Sequence, residues 1–124
     1  MREILFRGQT GFERKWIEGY YSKEPSDDGF IDVIVQDTGE RNEIYPEPLC
    51  EFTGLYDKNG VKIFEGDIVK LPLSERNCKV VFKSGCFVAE YGSQGLTVNN
   101  SLYGGNVEVI GNIYDNPELL EEVK

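Results

Sequence analysis

The stretch FTGLYDKNGVKIFEGDIVKL (Phe52 to Leu71) carries three glycines, an Asn-Gly pair and two aspartates among aromatic and β-branched residues. Asn-Gly is the dipeptide that best tolerates positive φ, so YDKNGVK predicts a hairpin turn between Leu55-Tyr56 and Val61-Lys62-Ile63. Asp57 is placed to accept backbone N–H groups across that turn. FEGD (Phe64 to Asp67) predicts a second tight turn, with Gly66 left-handed and Asp67 tying off the backbone as the next strand begins. Gly54, Asp57, Asn59, Gly60, Gly66 and Asp67 are therefore read as a turn motif that folds the chain. A calcium loop of the EF-hand kind is excluded: counted from Asp57, the twelfth position needs a bidentate acid and holds Ile68.

Outward from this centre, strand signals dominate. REILFRG (Arg2 to Gly8) and KWIEGYY (Lys15 to Tyr21) predict a hairpin around QTGFER. SKEPSDDG (Ser22 to Gly29), acidic and broken by proline, reads as a loop. FIDVIVQ (Phe30 to Gln36) sets Ile31, Val33 and Val35 at period two, and RNEIY (Arg41 to Tyr45) returns after the Asp37-Thr38-Gly39 turn. Pro46 and Pro48 interrupt pairing and mark the best boundary, giving an N-terminal β segment over 1–45 and a core over 46–124, together forming one compact domain or two subdomains. CKVVFKSGCFVAEY (Cys78 to Tyr91) is a further hairpin, and Gly92 to Asn106 reads as a long loop holding a short strand. VEVIGNIY (Val107 to Tyr114) is a last strand bent at Gly111. DNPELLEEV (Asp115 to Val123) predicts a short helix, with Asn116 or Asp115 as N-cap and Pro117 at its first position.

The 124 residues suit a modest core, and 40% hydrophobic with 28% charged content fits neither a disordered nor a membrane-embedded chain. No secretory leader is read at the start, and a cytoplasmic setting is expected. Cys50, Cys78 and Cys86 lack zinc spacing, and with no histidine to complete a site they read as reduced thiols. The net charge of −9 argues against nonspecific nucleic-acid binding, which needs Lys and Arg on phosphates. Arg2, Arg7, Arg14 and Lys15 make the N-terminal segment the one plausible basic patch.

Without histidine there is no Ser-His-Asp or Cys-His set, and no P-loop or dinucleotide fingerprint occurs. No catalytic, cofactor-binding or metal-ligating residue is assigned. Aromatic side chains remain, of which Trp16, Tyr20, Tyr21 and Tyr56 are expected to form an interaction surface.

The blocks MREILFRG, WIEGYY, FTGLYDKNGVKIFEGDIVKL, GCFV and VEVIGNIYDNPELL, in this order along nearly the whole chain, resemble the YopX family of phage- and prophage-encoded proteins. Many relatives carry a histidine in the last block, where this chain has Tyr114. The resemblance implies a bacterial or phage origin, a cytoplasmic setting and a mainly β fold with a C-terminal helical tail; it implies no catalytic residues.

The expected architecture is mainly β: a small barrel of the Src-homology type over about Leu49 to Ile113, an N-terminal β-hairpin segment and a short C-terminal helix. The expected function is that of a non-enzymatic phage accessory protein acting through protein contacts or self-association, without cofactor, membrane or nucleic acid. The alternative is an acidic mimic of nucleic acid that blocks a host DNA-binding enzyme.

Overall fold

Alternation of apolar and polar residues is realised as strands almost throughout. The computed structural model describes residues 4–70, 77–83, 85–90, 97–98, 100–101 and 107–120, and the architecture is mainly β. The chain divides into two compact units, Met1–Phe52 and Thr53–Lys124.

The first unit contains β1 (Phe6–Thr10), β2 (Lys15–Ser26), β3 (Gly29–Val35), β4 (Arg41–Ile44) and the start of β5 (Leu49–Tyr56), in the antiparallel order β4-β3-β2-β1-β5. The expected loop over Ser22–Gly29 is instead the outer half of the β2–β3 hairpin, and only Asp27-Asp28 turn the chain, with Gly29 at φ 125°. The reason lies in the neighbours. β1 pairs with Lys15 to Gly19, so Pro25 falls on a stretch of β2 with one paired partner, where a strand tolerates proline.

This sheet curls. β5 takes one edge of β1 at Phe6 to Gly8, and beyond it Gln9 O accepts the Tyr45 N–H at 3.0 Å while Thr10 Oγ1 donates to Glu43 O at 2.7 Å. Two glycines permit the curl. A Cβ on Gly8 would stand 2.8 Å from Ile44 Cδ1, and one on Gly19 would stand 2.2 Å from the carbonyl oxygen of Val35. Ile34, Ile44, Val33, Cys50 and Phe52 are buried in this unit, the four larger apolar side chains each contributing about 1.5–3 kcal/mol of transfer free energy.

The second unit continues β5 and adds β6 (Lys62–Phe64), β7 (Asp67–Lys70), β8 (Asn77–Lys83), β9 (Cys86–Glu90), β10 (Thr97–Val98), β11 (Asn100–Ser101) and β12 (Glu108–Asn112). Its antiparallel sheet runs β10-β9-β8-β7-β12, with β11 also on β9. Among the described residues no ladder joins the two ends of this sheet. Ile63, Val69, Cys78, Val80, Ala89 and Val107 form its core, flanked by Leu55, Phe87 and Val109. Most of the expected loop over Gly92–Asn106 and the chain past Leu120 lie outside the described residues.

The register of β12 on β7 shifts between Val109 and Gly111, the bulge expected at that glycine. The expected C-terminal helix is a single 3-10 turn, Pro117–Leu120. The Asn116 backbone carbonyl accepts the Leu119 N–H at 3.1 Å, while its side chain turns back: Oδ1 accepts the Asn112 N–H at 3.3 Å and lies 2.6 Å from where a Cβ on Gly111 would stand.

Candidate functional site

Asp57 is heavily engaged in its turn, and it is buried. Its Oδ1 accepts the N–H groups of Asn59 at 2.8 Å and Val61 at 2.9 Å, holding its own turn. Its Oδ2 accepts the N–H of Val109 at 3.0 Å, fastening the turn to β12. Gly60 takes φ 81° and donates to Asp57 O, as the Asn-Gly reading requires. Burial alone would raise the carboxyl pKa; the three amides and nearby Lys58 outweigh it and lower the value.

The second turn follows the same logic. Asp67 Oδ2 accepts the Phe64 N–H at 2.8 Å, and Gly66 sits at φ 90°. Gly66 donates its N–H to Val80 O at 2.8 Å and accepts the Ile113 N–H at 2.9 Å, so this turn stitches β8 to the end of β12. Gly54 also has positive φ, 88°, beside Thr53, whose hydroxyl donates to Ile63 O. Asp57 and Asp67 thus accept backbone amides and Gly54, Gly60 and Gly66 take positive φ, while the Asn59 side chain reaches Glu108 Oε2 at 3.5 Å. Among the described residues no three metal-ligating side chains gather.

Glu90 is the remaining buried carboxylate described in the second unit besides these aspartates. Lys83 hydrogen-bonds it and Lys79 approaches to 3.7 Å, and together they lower its pKa against the cost of burial.

Within the first unit the expected aromatic residues divide between the two faces of β2. Trp16 lies half-buried with the Arg7 guanidinium 4.7 Å above its ring, and Tyr20, more than half exposed, shares that face of β2 by strand alternation. Tyr21 points to the other face, packs on Phe6 at 5.6 Å between ring centroids, and donates its hydroxyl to Asp32 at 2.5 Å. That hydrogen bond, with burial and the Asp32 charge, raises the phenol pKa. Tyr56 belongs to the second unit.

What the aromatic inventory missed are the hairpin tips. Phe12, in the β1–β2 turn, is 105% exposed, and Phe30, beside the β2–β3 turn, is 66% exposed. Their signal in the sequence is a phenylalanine directly after a turn glycine, Gly11 and Gly29. The Phe12 turn is held firmly. Arg14 N donates to Gly11 O at 3.1 Å, Tyr45 Oη donates to the same oxygen at 3.1 Å, and the Arg14 guanidinium lies 3.9 Å over the Tyr45 ring. Arg14 Nη1 also reaches Gln9 Oε1 at 3.3 Å, although the residue sits at φ 50°, a conformation that non-glycine residues rarely adopt.

Comparison with known proteins bears on the whole chain. A family model described as YopX protein matches residues 5–121. A curated relative, the SPbeta prophage-derived uncharacterized protein YopX of Bacillus subtilis (strain 168), is 26% identical, the match covering 79% of this chain and 88% of the relative. The crystal structure of protein EF1440 from Enterococcus faecalis superposes with a TM-score of 0.61 at 29% identity, over 98% of this chain and all of that one.

Proposed function

The chain belongs to the YopX family, and from that premise we propose that it is a prophage accessory protein that acts without catalysis, through protein contacts made by its first unit. The prophage origin is carried over from the Bacillus relative. The supporting observation is the Phe12 turn, where contacts among Gln9, Gly11, Arg14 and Tyr45 hold the backbone that carries an apolar ring exposed to solvent. Preorganised aromatic anchors of this kind lower the entropic cost of association.

The polar groups fit a scaffold better than a catalyst. Asp57 and Asp67 are directed at amides and Glu90 at lysines, which leaves none of the three to move a proton for a substrate. The nucleic-acid mimic is the weaker reading, because Glu24 and Glu108 face Arg41 and Lys58 rather than forming unopposed rows.

Affinity capture during prophage induction tests this reading, with the Phe12→Ser variant in parallel and light scattering on the purified protein. A specific phage or host protein retained by the wild type and lost with the variant, or self-association of the chain, is the expected result. A strict monomer that retains nothing would overturn the proposal.

A further inference from the structure

The first unit displays its two most exposed phenylalanines at opposite ends of one strand. β2 has 12 residues, which at about 3.3 Å each separates its ends by roughly 36 Å. At its start stands the Phe12 tip, with Glu13 and the cations Arg14 and Lys15; at its end stands the Phe30 tip, with Asp27 and Asp28. All of these residues are exposed. Lys15, Asp27 and Asp28 make no ion pair among the described residues. The tips therefore match in apolar character and oppose in charge, within a chain whose overall charge is −9.

We propose that two copies of this chain associate antiparallel, the basic Phe12 tip of each seated against the acidic Phe30 tip of the other. Two such contacts related by a two-fold axis close the assembly as a dimer, so it does not grow into a filament. The inference rests on the protein-contact reading above and supplies its partner. Charge complementarity selects a second copy in this orientation, because like tips would repel. The free edge of β2 is the weaker route to pairing: Pro25 and Lys23 lie on it, and both residue types block strand addition.

Sedimentation equilibrium on the full chain tests the proposal. The wild type is expected to be a dimer at low salt and to dissociate as salt rises to about 0.5 M, where the Debye length falls to a few ångströms. Phe12→Ser should weaken the dimer about tenfold or more, as loss of a central aromatic anchor does. The decisive arm is charge exchange. Lys15→Glu alone and the pair Asp27→Lys with Asp28→Lys alone should each be largely monomeric, while an equimolar mixture of the two recovers dimer. A folding defect would not be repaired by mixing, and circular dichroism checks that each variant is folded.

A wild type that stays monomeric at high concentration overturns the proposal, as does a dimer indifferent to salt and to Phe12→Ser, or variants that fail to complement. A monomer that still captures a phage or host protein would leave the broader contact reading standing. One that captures nothing removes both.

Discussion

One carboxylate shows how residue chemistry decides the fold here. Asp57 satisfies three backbone amides, two in its own turn and one on β12. Asp57→Ala strips all three of their acceptor, and at about 1–3 kcal/mol per buried unsatisfied group, part of it recovered by water, a loss of about 3 kcal/mol is expected in urea unfolding. Asp57→Asn keeps one acceptor oxygen and should lose about half as much. The acid dependence follows from the direction of the shift. The folded pKa lies below the unfolded value of about 3.9, so the stabilisation is complete above that value and drains away as pH falls through it toward the folded one. Glu90 acts in the same sense in the adjoining window. Midpoint-against-pH curves below about pH 5 should therefore be shallower in Asp57→Asn than in the wild type, and equal slopes would contradict the assignment. The roles of Asp57 and Asp67 inside their own turns were legible in the sequence, because Asx turns are local. The bond to Val109 was not, since nothing at residue 57 names a partner so far along the chain.

Elements were legible where their signal is local and obscured where a neighbour decides. The Asn59-Gly60 hairpin, the hairpin of β8 and β9 and the bulge at Gly111 lie where turn residues and periodicity put them. The outer half of β2 was hidden because proline and acids read as a loop, while the pairing with β3 that overrides them is a property of the sheet. The curl of the first sheet was equally invisible, since Gly8 and Gly19 sit inside strands with no turn signal around them. Their substitutions should separate cleanly. Gly19→Ala drives a methyl into the Val35 carbonyl, a backbone atom, and should cost about 3 kcal/mol or more; Gly8→Ala meets the mobile end of Ile44 and should cost about 1 kcal/mol. Chemical denaturation of both variants measures the difference. At the edge of the same sheet, Pro25→Thr removes a guard against strand addition and should raise aggregation in static light scattering at unchanged folded content.

For the molecule as a whole, the three thiols report on how tightly the chain is closed. Cys86 is exposed, while Cys50 in the first unit and Cys78 in the second are buried. Burial also raises the Cys78 pKa and so lowers its reactive thiolate fraction. A thiol reagent should modify one cysteine rapidly in the native protein and all three in denaturant, with mass spectrometry assigning the rapid one to Cys86. Rapid labelling of Cys78 would mean that the core of the second sheet opens far more readily than its packing suggests. The tie between Asp57 and Val109 also bears on synthesis. The acceptor is translated 52 residues before its donor, so the turn leaves the ribosome long before the amide that completes it. Until Val109 emerges, Oδ2 has only solvent to bind, and β12 has yet to reach β7. The second unit therefore reaches its final form only after Val109 has emerged, and a nascent chain stalled before that point exposes the edge of β7 that β12 would cover.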